Sequence, residues 1–274
     1  MDRSPEPTPI WIIGDSHVSA FAVDAQMIPE FPHIARSAFR GVRACRLGPQ
    51  LAGTLHLSTS STGGRQKAFD LIERIPDRSN VFFIFGEIDC RAQIARRADY
   101  KDERLEASVA DTVTNYMSFI TDFHERSKAR GLRLGVISPP PTSAVLHPLY
   151  GHSALSVLNP MAKTNMGRSA LRLGRNFLRR KGFLRQAIGL ALNYSGTDAQ
   201  CLRAGKLFAD MLKEHCAALH MTFIDMYHPF LSEAGGIRKS WYWDAVHLQQ
   251  AAVREISPQF EDAGIFNFAP VREP

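Results

Sequence analysis

Cysteine is scarce in this chain. Cys45, Cys90, Cys201 and Cys216 are spread over 274 residues with no Cys-x-x-Cys pair. That excludes a disulfide scaffold and fits reduced thiols in a cytoplasmic protein. Histidine and cysteine also lack the spacing of metal ligands, so no metal is expected. No apolar stretch approaches the roughly eighteen residues of a membrane span. Residues 1–9 are polar and proline-bearing and lack the basic-then-apolar order of a signal peptide. Gly63-Gly64 follows no strand and precedes no Lys-Ser/Thr, so no phosphate loop and no cofactor are expected. No internal repeat appears. Acidic residues are missing from one region altogether: between Arg126 and Thr197 there are twelve Lys or Arg and no Asp or Glu. The net charge of +6 therefore belongs to that segment, and the remainder nets −6.

Short apolar runs alternate with helical periodicity. Strands are expected over 9–13, 41–45, 81–85, 132–137 and 222–225, with helices over about 18–28, 66–75, 103–129 and 198–219 and a last helix from near Leu248. Val81-Phe82-Phe83-Ile84-Phe85 is too short for a helix and rich in β-formers, so it reads as a strand buried on both faces. The pattern is that of an α/β chain with a parallel sheet covered on both sides, 1–274 being one domain with a basic, helical insertion at about 142–197. Chemistry in such sheets gathers beyond the carboxyl ends of the strands. Ser16, Gly48, Gly86 and Pro139 fall at or just after four of those ends.

Ser16 follows Gly14-Asp15 at the first strand end, a good place for a nucleophile. The same residues also make an ordinary turn and cap. Far downstream, Asp244-Ala245-Val246-His247 puts a carboxylate and an imidazole on one side of a turn. Such a carboxylate fixes the histidine tautomer and leaves the other ring nitrogen to take a proton from a serine.

Together these blocks resemble the SGNH (GDSL-type) hydrolase family. Gly14-Asp15-Ser16 matches its first block, Gly48 falls at its second, Gly86-Glu87-Ile88-Asp89 lies at its third and Asp244-x-x-His247 matches its fifth, covering residues 9 to about 250. The resemblance implies a three-layer, flavodoxin-like sandwich with five parallel strands. It implies Ser16 as nucleophile, His247 as general base, Asp244 as its orienting partner, and the N–H groups of Ser16 and Gly48 as oxyanion donors. One block departs: the family pattern is Gly-x-Asn-Asp, and Ile88 stands where the asparagine amide would donate. Arg91 and His17 are the nearest replacements in sequence.

Asp15, His17, Gly86, Glu87, Asp89 and Arg91 are candidate substrate-binding residues. For the three charged residues Glu87, Asp89 and Arg91 an ion-paired cluster tying strand ends together is the competing reading. His17 caps or lines the pocket, while His56, His152, His220 and His228 stand in no partner pattern. Trp241 and Trp243 flank the Asp–His turn and wall a pocket or pack in the core.

In the insertion, Arg168, Arg172, Arg175 and Arg179 recur every three or four residues among Leu171, Phe177, Leu178 and Leu184. A solvated face, attraction of an anionic substrate and peripheral contact with an anionic membrane are its open readings. No nucleic-acid recognition motif accompanies the charge. The expected activity is hydrolysis of a short acyl ester, an acetyl group on a carbohydrate, by a serine esterase. Acyl transfer to a glycan through the same residues is one alternative. A degenerate scaffold that binds an anionic partner is the other.

Overall fold

The computed structural model describes residues 8–23, 30–37, 39–142, 197–243 and 246–265. Its six strands are β1 (Ile10–Gly14), β2 (His33–Arg36), β3 (Val42–Arg46), β4 (Asn80–Ile84), β5 (Arg133–Ile137) and β6 (Thr222–Ile224). They form one sheet in the order β2-β3-β1-β4-β5-β6. Five of the strands are parallel, and without β2 their order is the flavodoxin-like one.

The five expected parallel strands are present, and one strand is added to them. β2 is a sixth strand, antiparallel to β3 at the sheet edge. Its sequence His33-Ile34-Ala35-Arg36 carries no continuous apolar run, because an edge strand pairs on one side and stays half-exposed. β1 and β4, by contrast, are buried along their whole length, as strands covered on both faces must be.

Helices α1 (Gly64–Asp70), α2 (Ile94–Lys101), α3 (Leu105–Ser127), α4 (Asp198–Ala218) and α5 (Val253–Asp262) cover the sheet. One apolar cluster joins Trp11, Ile13, Phe83 and Phe85 to Tyr116, Phe119, Phe123 and Phe208 of α3 and α4. The other joins Ile10, Ile12, Phe82 and Ile84 to Ile256 and Phe260 of α5. Alternate residues of one strand thus feed two cores, which is what makes three layers.

α3 keeps the expected face, with Val109, Val113, Tyr116, Ile120 and Phe123 buried. α4 opens on a capping box in which Thr197 and Gln200 satisfy each other's backbone N–H. Two helical expectations shift. The segment expected as a helix from 18 is a six-residue 3-10 turn, Ser16–Phe21, that ends when Ala22 bridges to Ser37. The last helix begins at Val253, preceded by a 3-10 turn. The basic insertion lies outside the described residues, apart from its first and last. No described helix is long and apolar enough to cross a membrane.

Candidate active site

The sheet order reverses at β1, where connections leave on opposite sides and open a crevice beyond the strand ends. Ser16 sits there, two residues past β1. Gly48 lies two residues past β3, and Gly86 two past β4. Gly48 holds φ +99° and Gly86 φ +112°, a region that favours glycine. At Gly48 the space is also closed: a Cβ would stand 2.9 Å from the Phe31 ring.

His247 arrives from the far end of the chain. The segment from Trp241 to Gln249 folds back on itself: the Trp243 N–H donates to the His247 carbonyl at 3.1 Å and the Gln249 N–H to the Trp241 carbonyl at 2.8 Å. The Tyr242 hydroxyl donates to the Pro141 carbonyl at 2.7 Å, which ties this hairpin to the loop after β5. The result puts His247 Nε2 2.8 Å from Ser16 Oγ. Trp243 stacks on the His247 ring, 5.4 Å between centroids and 18° apart, with half of its own surface exposed. Asp244 lies outside the described residues, so its place beside His247 rests on the motif.

Behind the dyad is a buried charge cluster. Asp15 Oδ1 accepts the His17 backbone N–H at 2.9 Å and meets His17 Nδ1 at 2.7 Å. Glu87 Oε1 accepts from Arg91 Nε at 2.5 Å and from the Thr142 hydroxyl at 2.6 Å. Glu87 Oε2 lies 3.8 Å from His17 Nε2.

Burial opposes charge on both Glu87 and His17, but their neighbours outweigh it. The Arg91 and His17 charges, with hydrogen bonds from Arg91 and Thr142, bring the Glu87 carboxyl down to about 2. For His17, Asp15 and Glu87 overcome burial and the Arg91 charge, and its pKa is raised. With Asp15 accepting at Nδ1, the added proton of the imidazolium sits on Nε2, which has no hydrogen-bond partner.

Asp89 does something different. Its two oxygens accept the N–H groups of Ala52, at 2.7 Å, and Gly53, at 3.2 Å. It thereby clamps the loop after β3 to the loop after β4. Burial pushes its carboxyl up to about 6 against those bonds.

The structure therefore gathers Ser16, His17, Gly48, Gly86, Glu87, Arg91 and His247 around one set of strand ends. Asp15, Glu87 and Asp89, expected as substrate contacts, are essentially sealed from solvent and committed to internal bonds. Arg91 stands at the rim of the cluster, its side chain 13% exposed. Ile88 is half-buried at the start of the turn that leads into α2. Trp241 packs against Phe230, with ring centroids 6.1 Å apart, so Trp243 rather than Trp241 borders the dyad.

Thr142 escaped the sequence reading, although Pro139-Pro140-Pro141 had marked its strand end. The bond between Asp15 and His17 carries a local signal, an Asx-type turn in Asp-Ser-His. Among the described residues, no group of three or more His, Cys, Asp or Glu is placed to hold a metal ion.

The fold and the dyad together define an α/β protein with a serine–histidine pair at the switch point of its sheet. No family model and no curated protein matches the chain. Solved structures do align with it. The native aryl esterase of M. smegmatis aligns at 14% identity and TM-score 0.48, covering 94% of this chain and 100% of that one. A GDSL-like lipase from Bacteroides thetaiotaomicron aligns at 11% and 0.43, covering 95% and 91%. The CTD of the Drosophila Oskar protein aligns at 10% and 0.42, covering 92% and 86%. These likenesses concern chain path, and no residue role is taken from them.

Proposed function

We propose that this chain is a serine ester hydrolase that removes a short acyl group through an acyl-enzyme on Ser16. The observation that carries the reading is the 2.8 Å contact between Ser16 Oγ and His247 Nε2, across 231 residues of sequence. That is hydrogen-bond distance between a nucleophile and a base. In the reaction Ser16 Oγ attacks the acyl carbon while His247 Nε2 takes its proton. The tetrahedral oxyanion is held by the N–H groups of Ser16 and Gly48. Collapse expels the alcohol, which takes the proton back from His247. Water then attacks the acyl-enzyme with His247 again as base, and the acid leaves. Asp244 orients His247 in this scheme, on the strength of the motif resemblance.

For the substrate, an O-acetylated carbohydrate is our choice. The half-exposed Trp243 indole beside His247 offers a flat apolar wall next to the reacting atoms, the kind of surface that lines small-ligand sites. Acyl transfer to a sugar hydroxyl uses the same atoms, with the acceptor in place of water.

Hydrolysis of p-nitrophenyl acetate by the wild type and Ser16→Ala, with fluorophosphonate labelling of both, tests the proposal. Turnover and label that both vanish in a folded Ser16→Ala protein support it. A wild type that neither turns over nor labels would sink it, and would leave a binding scaffold as the better account of the fold.

A further inference from the structure

The opposite end of the sheet holds a second candidate site. Pro9 precedes β1 and Ser16 follows it, so the two ends are separated by roughly 17 Å at about 3.3 Å per strand residue. There a cleft of about 400 Å³ is bordered by Pro9, Pro76 and Gly41 and by three arginines, Arg36, Arg40 and Arg43. All three arginines are exposed. Arg36 and Arg43 are direct partners across the antiparallel pair of β2 and β3. Like charges placed opposite each other in a ladder destabilise it.

Nothing among the described residues neutralises them. The nearest acid in sequence to the Pro76 wall, Asp77, is bound to Arg130 Nε at 2.7 Å. Among the described residues, no ion pair or hydrogen bond is made by the side chain of any of the three arginines.

The geometry points to a binding site for a diphosphate group in this cleft, distinct from the Ser16–His247 dyad. Guanidinium groups bind phosphate oxygens through paired N–H donors. A diphosphate carries enough negative charge to balance three arginines, whereas a lone carboxylate would leave two uncompensated. The volume falls within the range of small-ligand sites. A bound diphosphate would also lift the cross-strand repulsion between Arg36 and Arg43, so binding and stability of the sheet edge are coupled.

Calorimetric titration with inorganic pyrophosphate, a nucleoside diphosphate and acetate, on wild type and on Arg36→Gln/Arg43→Gln, tests this. Both substitutions are at exposed positions and relieve like-charge repulsion, so the double variant should fold. Its unfolding curve without ligand provides the check. The expected result is pyrophosphate binding to the wild type, weakened at least tenfold, about 1.4 kcal/mol, in the double variant. Acetate should not bind, and the Ser16→Ala protein should bind as the wild type does. Tighter binding of the nucleoside diphosphate, also lost in the double variant, would identify a diphosphate ester as the source; equal binding would identify free diphosphate. Pyrophosphate affinity that is unchanged by the two substitutions, or no binding to the wild type at millimolar concentration, would overturn the assignment.

Discussion

His17 and His247 stand ring to ring, 5.1 Å between centroids and tilted by 31°. The two imidazoles are held for different ends. His247 faces Ser16 Oγ, while His17 is locked onto Asp15 beneath it. In the proposed reaction His247 moves a proton, while the bond to Asp15 favours a proton kept on His17.

That division predicts a pH signature in stability. The folded pKa of His17 lies above its ordinary 6.5. Its stabilisation is therefore complete below about 6.5 and is lost as pH rises through the folded value. His17→Gln leaves Asp15 and Glu87 buried without that cation, and should cost about 3 kcal/mol at pH 6. Urea unfolding at a series of pH values from about 6 to 9 should show the gap between wild type and variant closing as pH rises.

Asp89 should act in the opposite direction from most carboxylates. Its folded pKa of about 6 exceeds the ordinary 3.8, so the folded chain takes up the proton first. Its contribution to stability should thus fall as pH rises from about 4 to about 6. Asp89→Asn removes this component and one of the two bonds to Ala52 and Gly53. At pH 4, where the wild-type acid is neutral, the variant should be less stable by about 1 kcal/mol. Paired denaturation curves at pH 4, 5 and 6 read both effects.

In the motif resemblance, Ile88 stands where an asparagine amide would donate to the oxyanion. Its backbone, φ −62° and ψ −36°, accepts asparagine without strain. Loss of one oxyanion donor typically costs about 10²–10³ in rate. Ile88→Asn should therefore raise kcat on p-nitrophenyl acetate by roughly tenfold or more, with little change in KM. An unchanged kcat would mean that the role is already filled by another group.

Gly48 should tolerate no side chain. Alanine there meets both the positive φ and the Phe31 ring at 2.9 Å. Gly48→Ala should move the proposed oxyanion N–H and lower kcat by about 10²-fold, while global stability falls by about 1–3 kcal/mol. Kinetics and an unfolding curve on the same preparation separate the two effects.

The sequence made some of this visible and hid the rest for physical reasons. β1, β4 and β5 were legible because strands covered on both faces read as nearly continuous apolar runs, and a Gly or Pro stands at or close after the end of each. β2 was not, since an edge strand of His33, Ile34, Ala35 and Arg36 is specified by pairing with β3 and not by its own composition. The turn from Ser16 to Phe21 carried helical spacing, yet the bridge from Ala22 to Ser37 cuts it short. Ser16 and His247 could be named from two local motifs. The bonds from Thr142 to Glu87 and from Ala52 to Asp89 join distant segments through single side chains, and no spacing announces them.

The span between Ser16 and His247 also sets a schedule. A contact across 231 residues forms only after the intervening chain has been made and the last hairpin has docked on Pro141. Loop closure over such a distance is a late event. During synthesis the proposed nucleophile Ser16 emerges first and its proposed base His247 among the last elements, so a half-made chain presents Ser16 without His247. Turnover, once measured, would therefore report completed assembly of the whole chain, making the reaction itself an assay for folding.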